Sequence, residues 1–114
     1  MDNFKVYISI ISLYEFLFGK KYIGGDITET KGAIERAFAI IPLTQEILEK
    51  MLEIDASLSK RGEKLEFRDI AIGATAITEG LVLISGNVSH FERMKKYGLK
   101  FKSREAFIDE LRRL

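Results

Sequence analysis

The side chains able to do chemistry in this chain are few, and most of them offer oxygen. Ser12-Leu-Tyr-Glu15 has the S-x-x-E spacing, Asp69 follows Phe67-Arg68, and Ser85-Gly-Asn87 closes the apolar run Leu81-Val-Leu-Ile. There is no cysteine, and His90 is the only histidine. Disulfides, thiolate metal sites, cysteine nucleophiles and paired-histidine zinc sites are therefore excluded. Carboxylates remain as the natural metal ligands, and they suit hard divalent cations.

Each candidate also has a structural reading. S-x-x-E is the spacing of a capping box, in which Ser12 and Glu15 would each bond a free amide at a helix start. The spacing does not separate that role for Glu15 from a ligand role. Asp69 falls in the first turn of an expected helix, where the helix dipole favours a carboxylate with or without a site. Asn87 after Gly86 suits a turn as well as a ligand position. Ser85 either ends a strand or hydrogen-bonds a carboxylate or a metal-bound water. Arg68, beside Asp69, is placed for a salt bridge or for a phosphate contact. His90 reads as a surface or helix-start residue, with metal binding as the lesser alternative. Lys60-Arg61, Arg93 to Lys96 and Arg112-Arg113 read as solvated faces, one of which could contact phosphates.

The elements that must position these groups belong to a single globular domain. The chain has 114 residues, 46% hydrophobic and 31% charged, enough for one core and far from a disordered composition. A formal net charge of +1 gives no strong field toward nucleic acid or membrane, so a nucleic-acid partner would need a local patch. No signal-peptide pattern opens the chain and no apolar run approaches a membrane span, so a cytoplasmic location is expected. One Gln, two Asn and abundant Lys and Glu lean toward a thermophile.

Phe4 to Ile10 is apolar on both faces, as in a buried parallel strand. A helix is expected from Leu13 to Phe18, stopped by Gly19, with Lys20-Lys21 at its negative end. A loop with Gly24-Gly25 leads to a helix from Thr28 to Phe38 and a short strand Ala39-Ile-Ile41. Thr44 caps a helix reaching Lys60, with Ile47, Leu48, Met51, Ile54 and Leu58 as its apolar stripe. A helix from Phe67 to Thr78 carries Ala71, Gly73, Ala74 and Ala76, small enough to lie close against a sheet. A strand Leu81 to Ser85, a short helix Ser89 to Lys96, a strand Leu99 to Phe101 and a last helix Ser103 to Arg113 complete the chain. That last helix places Phe107, Ile108, Leu111 and Leu114 on one face, to pack on this core or on a second subunit. Alternating strands and helices predict an α/β fold: three layers, with a mainly parallel sheet of about four short strands flanked by helices. In such folds the active groups lie past the carboxyl ends of the strands. Ser9, Ser12, Glu15, Ser85 and Asn87 fall there, and Asp69 opens the helix that leads into the strand ending at Ser85.

With the elements in place, the chain resembles a PIN domain, and more narrowly the VapC-type ribonuclease toxins of toxin–antitoxin pairs. Three pieces carry the resemblance. They are Tyr7-Ile-Ser-Ile-Ile-Ser-Leu-Tyr-Glu15 with Leu17-Phe-Gly19, then Phe67-Arg-Asp-Ile-Ala-Ile-Gly-Ala-Thr-Ala76, then Leu81-Val-Leu-Ile-Ser-Gly-Asn-Val-Ser-His-Phe91. The resemblance implies hydrolysis of RNA phosphodiester bonds with Mg²⁺ or Mn²⁺. It implies Glu15 and Asp69 as catalytic metal ligands with Asn87 beside them, and Ser12, Ser85 and Arg68 in support. It also implies an antitoxin protein as partner; a homodimer and no membrane are expected from the unpaired strand edge and the lack of a long apolar run. The family's opening strand, which ends in an Asp, has no counterpart here, since Asp2 precedes a strand rather than following one. An N-terminal truncation or a rearranged sheet is therefore expected, with a second chain or direct strand pairing in the gap. With that Asp absent and an amide at position 87, metal binding should be weakened and the chain as given could be inactive. The alternative is a non-catalytic α/β module that binds itself or a partner protein.

Overall fold

Ser9, not Ser12, begins the first helix. In the computed structural model, which describes residues 5–113, the Ser9 hydroxyl accepts a hydrogen bond from the Ser12 amide at 3.0 Å. Strand β1 (Tyr7–Ser9) therefore ends early, and helix α1 (Ile10–Tyr22) starts three residues before the expected Leu13. Either serine could cap a helix, and the short strand hands the role to the first one. Glu15 then lies past the first turn and cannot close a capping box, so that reading of S-x-x-E is corrected. Phe4 and Asp2 lie outside the described residues.

Gly19 does not stop α1. A glycine inside a helix costs about 1 kcal/mol, too little to end one that buries Leu13 and Leu17. The chain turns instead at Gly24, whose φ of 87° suits a residue without a Cβ. Lys20 and Lys21 occupy the last turn as expected. Asp26 starts the next helix, α2 (Thr28–Ala37), by accepting from the Thr28 amide at 2.9 Å. Strand β2 (Ala39–Ile41) returns parallel to β1, with Tyr7 opposite Ala39 and Ser9 opposite Ile41.

The chain divides after Leu43 into two compact units. The second opens with Thr44, whose hydroxyl accepts from the Ile47 amide at 3.2 Å and caps α3 (Gln45–Lys60). The stripe of α3 is buried at Ile47, Met51, Ile54 and Leu58, while Leu48, at its margin, is 45% exposed. Burying such side chains is worth about 1.5–3 kcal/mol each, and they form the core against which α4 (Phe67–Glu79) packs. Gly80, with φ of 67°, ends α4 in the left-handed conformation.

The small residues of α4 are buried as expected, but Gly73 makes room for a side chain rather than for a sheet. A Cβ there would stand 2.3 Å from Met94 Cε. Met94 is fully buried between α5 (Val88–Glu92) and a 3-10 turn at Lys95–Tyr97. That turn is tied to α3 by the Tyr97 hydroxyl, 2.6 Å from Ser57 Oγ.

Strand β3 (Val82–Ser85) pairs in parallel with β4 (Lys100–Ser103), Val82 opposite Lys100 and Ser85 opposite Ser103. Helix α6 (Arg104–Arg112) follows, capped by Ser103. Its Ile108 and Leu111 are each 40% exposed, and Leu114 lies outside the described residues.

The fold is thus α/β, with four short parallel strands flanked by helices, and among the described residues these strands pair two by two. Among the described residues each strand pairs along one edge, and Val82 on β3 is 50% exposed. Among the described residues no helix is long and apolar enough to cross a membrane.

Candidate functional site

Asp69 is the third residue of α4, and its amide reaches back to the Glu66 carbonyl at 3.1 Å. Only 4% of the residue is exposed. A carboxylate so buried is costly unless polar partners compensate it. The partner is His90, whose Nδ1 stands 2.7 Å from Asp69 Oδ2. His90 also meets the Asn87 amide, with Asn87 Nδ2 placed 2.8 Å from the same Nδ1. One ring nitrogen thus faces a carboxylate and an amide together. A carboxylate only accepts, so Nδ1 carries the hydrogen, and the Asn87 amide is satisfied when it turns its oxygen toward the ring.

The turn after β3 sets this cluster. The Asn87 amide donates to Ser85 Oγ at 3.0 Å, which folds Gly86 tightly between them. The helix begun at Val88 then carries His90 back to α4, across 21 positions of sequence. Ser85, Asn87, His90 and Asp69 are thereby gathered in the second unit, past the carboxyl end of β3, where open parallel sheets bind their ligands.

The other expected residues fall differently. Glu15 is an exposed residue on α1 of the first unit. Ser12 belongs to the first turn of that helix, and its hydroxyl accepts from Ser9 Oγ at 3.0 Å. Arg68 pairs with Glu66, its Nε 3.4 Å from Glu66 Oε2, so a salt bridge exists, though to Glu66. His90 is the residue that sequence reading missed. The available signal was its place as the sole histidine, three residues beyond Asn87 at a strand end.

The donors gathered in the second unit (a carboxylate, an amide and a hydroxyl) supply oxygen, which suits a hard cation that keeps several waters. Among the described residues no group of three or more His, Asp or Glu side chains is arranged to hold a metal ion.

The PIN domain family model matches residues 1–97. A VapC ribonuclease of Pyrococcus furiosus is 29% identical over 111 residues, covering 97% of this chain and 74% of the relative. A VapC ribonuclease of Methanocaldococcus jannaschii is 35% identical over 98 residues, covering 82% of this chain and 67% of the relative. Among solved structures, VapBC from nontypeable Haemophilus influenzae superposes with a TM-score of 0.77 at 21% identity, over 92% of this chain and 78% of that one. The family model spans most of the chain and the relatives carry the same type, so this chain belongs to the PIN domain family and is a VapC-type member of it.

Proposed function

We propose that this chain is the ribonuclease of a toxin–antitoxin pair, hydrolysing RNA phosphodiester bonds with Mg²⁺ or Mn²⁺ in the cytoplasm. The observation that carries the reading is Asp69, a carboxylate buried in the first turn of α4 and held by His90 beside Asn87 and Ser85. Glu15, Asp69 and Asn87 would hold the metal, with Ser12, Ser85 and Arg68 in support. A bound divalent ion would acidify a water and neutralise charge on the phosphate. The chain's own residues do the positioning. His90 fixes the orientation of the Asp69 carboxylate, and Ser85 fixes the turn from which the Asn87 side chain projects. The amide at position 87 contributes no charge, so weak metal binding is expected.

A protein partner is supported by α1. Tyr14, Phe16, Phe18, Tyr22 and Ile23 are all more than half exposed, and Tyr14, Phe18 and Tyr22 form a continuous row with ring centroids 6.2 and 5.9 Å apart. A soluble chain keeps so large an apolar surface for a partner. Beside it, in the same unit, lies an open groove of about 630 Å³ lined by Phe16, Ala33, Ile34 and Phe38. We assign this surface to the antitoxin, with a second copy of the chain as the competing occupant.

The test is Mn²⁺-dependent cleavage of single-stranded RNA by the unsubstituted chain, Glu15→Ala and Asp69→Ala. Loss of cleavage in both variants, with melting temperatures kept, supports the reading. Equal cleavage by all three proteins removes these residues from the mechanism.

A further inference from the structure

Ser85 and Ser103 are partners at the ends of two parallel strands, so Gly86 and Arg104 leave the ladder side by side. The guanidinium of Arg104 lies on the Gly86 backbone. A Cβ built on Gly86 would stand 2.7 Å from Arg104 Nη2 and 3.1 Å from Cζ. The glycine is not needed for its own conformation, because Gly86 is not among the residues with positive φ. Its missing side chain is the space the guanidinium occupies.

Several cations of the same unit have acidic partners, although Lys100 on β4 has no ion pair among the described residues. Lys102 pairs with Glu110, Arg112 with Asp109, and Lys95 with Glu92. Arg104 makes no ion pair among the described residues, although it stands one residue from the turn that carries Asn87. A planar guanidinium seated at the carboxyl ends of two parallel strands, against the turn that leads to Asn87 and without an ion pair among the described residues, is arranged to receive an anion.

We propose that Arg104 binds a phosphate of the RNA substrate, seated for that purpose by Gly86; this rests on the ribonuclease reading above. Arg104 takes no part in bond cleavage. It would hold the backbone of the strand next to the Asp69–Asn87 cluster, and as a phosphate contact it would do so without regard to base sequence.

The experiment measures binding of a fluorescein-labelled single-stranded oligoribonucleotide to the full chain by anisotropy, across a salt series without added divalent metal. Arg104→Gln is expected to weaken binding about 5–10-fold for every sequence tried, and to lower the slope of log K against log salt by roughly 0.7, the loss of one single-strand phosphate contact. Arg104→Lys should recover part of the affinity. Gly86→Ala leaves Arg104 in the chain but fills its seat, and should weaken binding in the same direction. Lys31→Gln makes the same charge change on α2, at a lysine already paired with Glu35, and should leave binding unchanged. Equal affinity of Arg104→Gln and Lys31→Gln overturns the assignment while leaving the ribonuclease reading intact. An effect of Gly86→Ala without one of Arg104→Gln places it in the turn backbone and overturns the assignment too. An unsubstituted chain that neither binds RNA nor cleaves it with Mn²⁺ overturns the ribonuclease reading and the assignment with it.

Discussion

His90 Nδ1 and Asp69 Oδ2 stand 2.7 Å apart, joining the first turn of α4 to the short helix α5. The ring holds the carboxylate through Nδ1, the same nitrogen that Asn87 approaches. The contact is one of position, so the group that matters is an N–H at that point rather than an imidazole as such.

Substitution should separate the two. His90→Ala is expected to lower Mn²⁺ affinity about 10–100-fold, the usual effect of removing a hydrogen-bond partner of a metal ligand. His90→Asn, whose amide nitrogen can take the place of Nδ1, should retain most of it. A Mn²⁺ titration followed by electron paramagnetic resonance reads both variants. Unchanged affinity in His90→Ala would sink the positioning role.

The cap on α1 belongs to Ser9. Ser9→Ala should destabilise that helix by about 1 kcal/mol, the ordinary cost of a lost N-cap. Its signature is faster hydrogen exchange at the Ser12 amide, which loses its acceptor. Ser12→Ala leaves that bond in place and should cost less. The reverse order would restore the capping-box reading.

Gly73 and Met94 are coupled through space. Gly73→Ala forces the Met94 side chain out of a fully buried position and should cost about 1–3 kcal/mol, as overpacking does. In Gly73→Ala with Met94→Ala the added methyl meets a vacated site. The double variant should therefore be less destabilised than the sum of the two singles, which urea unfolding measures. Strict additivity would show that α4 shifts instead.

Acid should loosen α2 through Asp26. Its carboxyl is held below the ordinary aspartate range, first by the Thr28 backbone amide and then by the Thr28 side chain. A depressed carboxyl stabilises the folded state above the ordinary unfolded value, and that stability is lost as pH falls through the lower folded value. Melting of the protein between pH 5 and pH 2 should therefore show a component that Asp26→Ala lacks. Parallel pH profiles would mean that the carboxyl contributes nothing to folding.

Much of the fold was legible because its signals are local. Thr44 before an apolar 3.6-residue stripe depends on near neighbours and caps α3 as expected, and the last helix starts within a residue of the expected Ser103, which ends β4 and caps that helix. The start of α1 was misread because Ser9 and Ser12 are chemically equal as caps. The choice between them depended on where β1 stops pairing with β2, a contact some 30 residues away in sequence.

The candidate site shows the same division. Asp69, Asn87 and Ser85 could be named as candidates because their residue types, and their places in the first turn of a helix or at a strand end, are visible along the chain. His90 could not, because its role comes from a bond across 21 residues that only the return of α5 to α4 creates. The seat of Arg104 on Gly86 follows from the pairing register of β3 and β4 in the same way. Local sequence thus determined which elements form, in what order, and which oxygen donors stand at their ends. Tertiary structure decided which of those donors are buried, which are held and by whom, because burial and pairing depend on the path of the whole chain.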